Sequence, residues 1–281
     1  MEGQRTIEQL RRHYEIEKRL ADRLRSAPPD ERRRLYPALY AELFRSVPDH
    51  PAHTRKLDAA ASAANVEQQR RLLDRFLDPG ARFLEIGAGD GSLAVSVAGS
   101  VAEVWAIDVA DQFPPPEQRP SNCRFLLIPD GCRLPLPDAS VDVAYSNQVM
   151  EHLHPEDAAE QLREIYRVLA PGGRYVCITP NRVCGPHDVS KFFDSVATGF
   201  HLKEYRVGEL VRLFRKTGFE RVQAFVGLKG RFFAVPWELL HCLEAVFWIL
   251  PGGIRKRLGN APGFRNLLTL TVSGRRPAPA G

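Results

Sequence analysis

The sequence predicts a doubly wound α/β domain: a mostly parallel sheet with helices on both faces, extended by helices at the N-terminus and an insertion near the C-terminus. Three observations point there. Beyond residue 80, the short apolar runs "RFLEIG", "VAEVWAID", "CRFLLIP", "VDVAYSN" and "RYVCITP" alternate with helical stretches such as "GSLAVSVAGS" and "AEQLREIYRVLAPGG". Runs that are apolar on both faces belong to a parallel sheet covered on both sides. The first run enters a loop holding Gly87, Gly89 and Gly91, and the second ends in Asp108, roughly 20 positions further on.

The elements follow in order. Residues 5–25 place Ile7, Leu10, Tyr14, Leu20 and Leu24 at helical spacing among many charges, an amphipathic helix. "SAPPDE" breaks it, with Asp30 as the candidate N-cap of a second helix that stops near Pro48 and Pro51. A third helix, about Asp58 to Leu77, ends at "DPG", where Gly80 suits a left-handed position. The alternating strands and helices come next, then a polar loop, a helix near 207–217, a strand near 221–226 and a final strand in "NLLTLTVSG". The chain divides into a helical extension or cap (1–57), a core (58–226) containing a substrate loop (181–205), an apolar helical insertion (227–264), and a last strand with its tail (265–281).

Composition narrows the class. A chain of 281 residues with 44% hydrophobic content can bury a full core, as one sizeable domain with additions or as two small ones. The net charge is +5, but acids and bases are interleaved, which points away from a nucleic-acid partner. Cys123, Cys132, Cys177, Cys184 and Cys242 form no zinc spacing and fit reduced thiols in a cytoplasm. The first residues, "MEGQRTIEQLRR", carry no apolar run and do not read as a signal peptide.

The glycine loop is weak evidence alone, because many strand-to-helix turns need glycine. Its context strengthens it. "SLAVSVA" opens a helix behind the loop, and Asp108 stands where a carboxylate can accept from both hydroxyls of a ribose. Glu85, just before the first glycine, would repel a pyrophosphate but suits an ammonium group. S-adenosylmethionine carries an amine, a sulfonium and no phosphate, so the chemistry favours it over NAD.

At these residues the chain resembles the class I S-adenosylmethionine-dependent methyltransferases, in the branch with a compact D-x-x-x-L-P signature. The resemblance covers about residues 60–226. "LEIGAGDG" is similar to the family's first motif, "AIDVA" to its ribose-binding strand end, "PDGCRLPLPDASVDVAYSNQVMEHL" to its third block, and "RVLAPGGRYVCITPN" to the turn and strand that follow. It implies a Rossmann-like methyltransferase fold with a seven-stranded sheet. It also implies that Gly87, Ala88 and Gly89 lie against the methionine part, with Glu85 toward its amine. Asp108 and Val109 would meet the ribose; Asp130, Gly131 and Cys132 the adenine; Ser146 and Asn147 the sulfonium side.

Methyl transfer from a sulfonium is an in-line displacement in which the protein mainly supplies position. A base is needed when the acceptor must lose a proton. His152, in "MEHLHPED" at the sheet's C-terminal edge, is the best candidate by position, although the pair Glu151-His152 could instead order a helix start. His187 and His201, in the loop after the fifth strand, are candidate substrate-facing groups or loop braces. Glu151, His152 and His154 are too close in sequence to make a metal site unaided, so no metal is expected.

The insertion departs from the family pattern. Pro236 suits the first turn of a helix, Pro251-Gly252-Gly253 stops it, and Glu238, His241 and Glu244 mark a narrow polar stripe. It is too short to span a bilayer. Three placements are open: a lid, a homodimer face, or a helix at a membrane surface with Lys229, Arg231, Arg255, Lys256 and Arg257 near the headgroups. The expectation is a cytoplasmic enzyme, with peripheral contact at a membrane left open, that methylates an oxygen of an apolar, lipid-linked or glycan-type small molecule. The alternatives are a nicotinamide-dependent oxidoreductase and a non-catalytic S-adenosylmethionine-binding subunit.

Overall fold

The computed structural model describes residues 5–51, 59–128, 130–228 and 230–278. The expected helix start at Asp58, the cation Lys229 and the end of the tail lie outside them. An eight-stranded sheet runs in the order β3-β2-β1-β4-β5-β8-β6-β7. Its strands are β1 (Arg82–Ile86), β2 (Glu103–Asp108), β3 (Cys123–Leu127), β4 (Val141–Asn147), β5 (Leu169–Thr179), β6 (Glu220–Leu228), β7 (Arg231–Val235) and β8 (Leu270–Arg275). The first five pair in parallel, whereas β8 runs antiparallel to both β5 and β6. The expected count of seven is therefore corrected to eight. The extra strand, β7, forms a hairpin with β6 that closes through Gly230 at φ +74°.

Both faces of the sheet are covered, as alternation along the strands requires. Leu84 and Ile86 of β1 enter one core cluster, and Phe83 enters the other. The second face is covered by α3 (Ala59–Leu73) and α4 (Ser92–Ala98). The first is covered by α1 (Ile7–Ser26), α2 (Pro29–Ser46), α5 (Pro155–Val168) and α6 (Val207–Thr217). The N-terminal helices thus share the main core, through Leu20, Leu24, Tyr36, Leu39 and Leu43.

α1 starts in a capping box: Thr6 Oγ1 accepts from Gln9 N–H at 3.2 Å and Gln9 Oε1 from Thr6 N–H at 2.8 Å. Its buried stripe is Leu10, His13, Glu17, Leu20 and Leu24, while Ile7 is exposed. α2 is capped at Pro28, and Asp30 falls inside its first turn rather than at the cap, where it still favours the helix dipole.

The insertion supplies β7, α7 (Trp237–Ile249), α8 (Gly252–Gly259) and part of α9 (Pro262–Leu268). Pro236 caps α7, one position earlier than expected. "NLL" belongs to α9 rather than to the last strand, because Pro262 opens a helical turn there.

Candidate active site

Strand order reverses between β1 and β4, and in such sheets ligands bind beyond the carboxyl ends of the strands at that reversal. A cavity of about 240 Å³ lies there. The loop after β1 forms one wall. Gly87, Gly89 and Gly91 all take positive φ, which only glycine adopts without strain. A side chain at Gly87 would strike Val149 at 2.3 Å, whereas one at Gly89 would meet nothing within 4 Å. Gly89 therefore presents bare backbone to open space. Its N–H donates to Asp108 Oδ2 at 2.7 Å, and Asp108 Oδ1 accepts from Ala110 N–H at 2.9 Å.

Gly87, Gly89, Asp108, Val109, Gly131 and His152 all line this cavity. Other predicted residues stand behind its wall. Glu85 is buried beneath the loop, on the strand face that carries Phe83. Burial drives its carboxyl well above the ordinary range, and its Oε2 has no hydrogen-bond partner among the described residues. Ala88 packs into the core on that same face. Asp130 Oδ1 turns back to accept from Cys132 N–H at 2.9 Å and Arg133 N–H at 2.7 Å, a turn that presents Gly131. Cys132 is buried. Ser146 Oγ is occupied by Tyr175 Oη at 2.7 Å, and Asn147 is half-buried beside it.

His152 follows β4 in a short 3-10 turn, Met150–His152. Its Nδ1 lies 3.0 Å from the Phe200 carbonyl oxygen, which can only accept, so Nδ1 carries the proton. Nε2 is then left with a lone pair. Burial and the neighbouring His201 hold its pKa down to about 3, so the ring is neutral at ordinary pH.

His201 and His187 do not line the cavity; Glu204 clasps both. His201 Nδ1 sits 2.8 Å from Glu204 Oε1, and His187 N–H donates to the same oxygen at 2.7 Å. Burial alone would discharge His201. The bond to Glu204, with the charges of Glu151, Glu204 and Asp188, overrides it and raises the pKa to about 9. Glu151 is pushed up to about 7 by burial; Thr179 Oγ1 donates to its Oε2 at 2.9 Å, and its Oε1 has no hydrogen-bond partner among the described residues. Donor atoms of Glu151, His152 and His201 fall within 4.8 Å of one another. The folded loop therefore brings His201 to the two residues that sequence spacing left isolated.

The cavity's other wall comes from α2, through Tyr36, Tyr40 and Phe44. Sequence reasoning named none of these; their four-residue spacing along one helix face was the available signal. A buried clamp sets that helix. Arg32 donates to both carboxylate oxygens of Asp157 at 2.6 and 3.0 Å, Tyr36 Oη donates to Asp157 at 2.8 Å, and His154 N–H donates to Tyr36 Oη at 2.9 Å. Gln112, Gln148 and Gln161 add polar groups to the lining.

Residues 84–177 match the model of the methyltransferase domain family. Over those residues the chain is similar to methyltransferase domains. A probable S-adenosylmethionine-dependent methyltransferase of Mycolicibacterium smegmatis is 36% identical over 149 residues, which are 50% of this chain and 52% of that protein. The chain spans about half the length of the curated relatives it matches. Among solved structures, a chain from the complex between the Haloferax volcanii Trm112 methyltransferase activator and its methyltransferase partner superposes with TM-score 0.57 at 18% identity, covering 81% of this chain and 98% of that one. Haemonchus contortus phosphoethanolamine N-methyltransferase 2, solved with phosphomonomethylethanolamine and S-adenosylhomocysteine, gives TM-score 0.51 at 19% identity, over 74% of this chain and 53% of that one. The cofactor named for these relatives suits the site: open backbone at Gly89, a carboxylate at Asp108 and, among the described residues, no lysine or arginine in the cavity's lining.

Proposed function

We propose that this chain transfers a methyl group from S-adenosylmethionine to a small, largely apolar acceptor, at a hydroxyl whose proton His152 removes. The observation that carries the reading is the place of His152: it lines the same cavity as Gly89 and Asp108 and has an unprotonated Nε2. The cofactor supplies an activated methyl on a sulfonium. Asp108 would hold the ribose diol, the Gly87–Gly89 backbone the methionine part, Gly131 the adenine edge, and Glu85, with its unpartnered oxygen, the ammonium group through an intervening water. Tyr40, Phe44, Val149 and Leu153 offer apolar walls to the acceptor, which supports a lipid-like or otherwise greasy molecule over a free sugar. Because the leaving group is already activated, orienting the acceptor's lone pair accounts for most of the rate.

The test is titration calorimetry with S-adenosylmethionine, S-adenosylhomocysteine and NAD, followed by a turnover screen of apolar hydroxylated compounds. Binding of the first two without NAD is the expected result; binding of NAD alone would overturn the reading. His152→Ala should slow transfer by about 10²–10⁴-fold with cofactor affinity unchanged. A ring with a pKa near 3 also predicts a rate independent of pH between 6 and 8, and an acid limb in that window would remove His152 as the base.

A further inference from the structure

We infer that the outer face of the insertion, α7 to α9, docks on an anionic lipid bilayer. The helix α7 is apolar on two faces. It packs inward through Leu240, Glu244 and Phe247: Glu244 is fully buried, with Oε1 accepting from Asn181 Nδ2 at 2.9 Å and from Val207 N–H at 2.8 Å, whereas Glu238 and His241 stay exposed, His241 beside Gly208 of α6. A second apolar stripe faces out. Leu239, Val246 and Ile249 are 62%, 59% and 84% exposed, and Ile254, Leu258 and Phe264 extend the patch along α8 and α9. A surface helix that is apolar on its outer face as well as its inner one departs from the ordinary pattern of a soluble helix, and such a face asks for a partner.

Charge decides which partner. Between residues 230 and 268 the cations are Arg231, Arg255, Lys256, Arg257 and Arg265, against two acids, Glu238 and the buried Glu244. The Arg255 guanidinium stacks on exposed Trp248 at 4.3 Å, an amphipathic pairing suited to the headgroup level. A second copy is the poorer occupant, since a twofold contact repeats the same patch on both sides and would bring these cations together with only Glu238 to offset them. An anionic surface takes the apolar side chains and pairs the cations at once. No helix among the described residues is long and apolar enough to cross a membrane, so contact would be made from one side.

The inner face gives docking a route to the site. Glu244 fastens Asn181 and Val207, which bracket the loop carrying His187, His201 and Glu204. The membrane inference stands independently of the methyl-transfer reading, because its readout is partition and not turnover.

The experiment is co-sedimentation of the full chain with phosphatidylcholine vesicles, with and without about one-third phosphatidylglycerol. The chain should pellet with anionic vesicles and at least about tenfold more weakly with neutral ones. Val246→Asp with Ile249→Asp, both at exposed positions, should weaken partition by about tenfold or more while melting temperature stays unchanged. Arg257→Glu with Arg265→Glu should do the same and reduce the dependence on salt. Failure of the wild type to pellet would overturn the inference, as would pelleting of both variants at the wild-type level. A wild-type dimer that the aspartate variant splits, with no vesicle binding, would overturn it in favour of a second copy.

Discussion

Gly89 and Asp108 separate two effects that a cofactor loop usually mixes. A methyl group added at Gly89 meets no atom of the described residues within 4 Å, so its structural cost is the left-handed backbone alone, about 1–2 kcal/mol. That methyl would nevertheless stand where the cofactor is proposed to lie. Gly89→Ala should therefore melt only slightly below wild type yet bind S-adenosylhomocysteine at least about tenfold more weakly, about 1.4 kcal/mol. Gly87→Ala is the control: its added methyl strikes Val149 at 2.3 Å, so it should lose stability as well as affinity. Asp108→Ala should lose about 1–3 kcal/mol of cofactor affinity, the range for hydrogen bonds to a charged group. Calorimetry and melting curves on the three variants check all of this, and normal binding by Asp108→Ala would end its assignment to the ribose. These residues were readable from sequence because spacing around a strand end dictates them. Ser146 was harder to place, because the two sides of β4 look alike until Tyr175 is seen to occupy its hydroxyl.

The helix α2 is the element on which the acceptor wall depends, and its anchor is buried charge. Arg32 and Asp157 are 2% and 0% exposed, and Tyr36 lies on the same carboxylate. Removing the arginine leaves the buried carboxylate with the Tyr36 hydroxyl and the looser Arg33 contact at 3.7 Å, so Arg32→Ala should destabilise by about 3 kcal/mol, the lower end for a broken buried pair. Arg32→Met with Asp157→Leu removes both charges and should recover much of that loss, although Tyr36 Oη then loses its acceptor. Denaturant melts of the two variants test the point; equal losses would mean that the pair is not what holds the helix. The clamp joins residues 125 positions apart, a distance over which pattern reading has no purchase. α1 hid its true face for a related reason. His13 and Glu17 occupy the buried stripe because each satisfies the other, at 2.8 Å, and Glu17 also receives Phe200 N–H at 3.1 Å. Polarity on the sequence therefore concealed burial in the fold. β7 was missed because its residues alternate weakly and Phe233 remains exposed, so nothing but the hairpin turn marks it. The five parallel strands, with apolar faces on both sides, needed no such distant information.

Stability of the folded chain should carry the mark of its buried histidines, in opposite directions. His152, held down to about 3, and Glu204, held down to about 2, have folded values below their unfolded ones. Their contributions are present at neutral pH and are lost as the solution is acidified, that of His152 between about 6.5 and 3. His201 runs the other way. Its proton is retained in the fold up to about 9, while the unfolded chain releases it near 6.5. The stabilisation is complete below 6.5 and disappears as pH rises through 9. Glu151, raised to about 7, adds to the same trend between 4.5 and 7. The groups facing His201 are Glu204, Glu151, Asp188 and His152, three acids against one neutral ring, so its cation is the charge that keeps the cluster balanced. A shift of this size corresponds to up to about 3 kcal/mol. Melting temperature should accordingly fall between pH 7 and 9.5 in the wild type. His201→Gln should start lower at pH 6.5 and stay nearly flat across the same window. If the variant instead follows the wild-type slope, the alkaline loss belongs to other groups, and the loop holding His187 and His201 is fastened by Glu244 and the helices around it without help from the imidazolium.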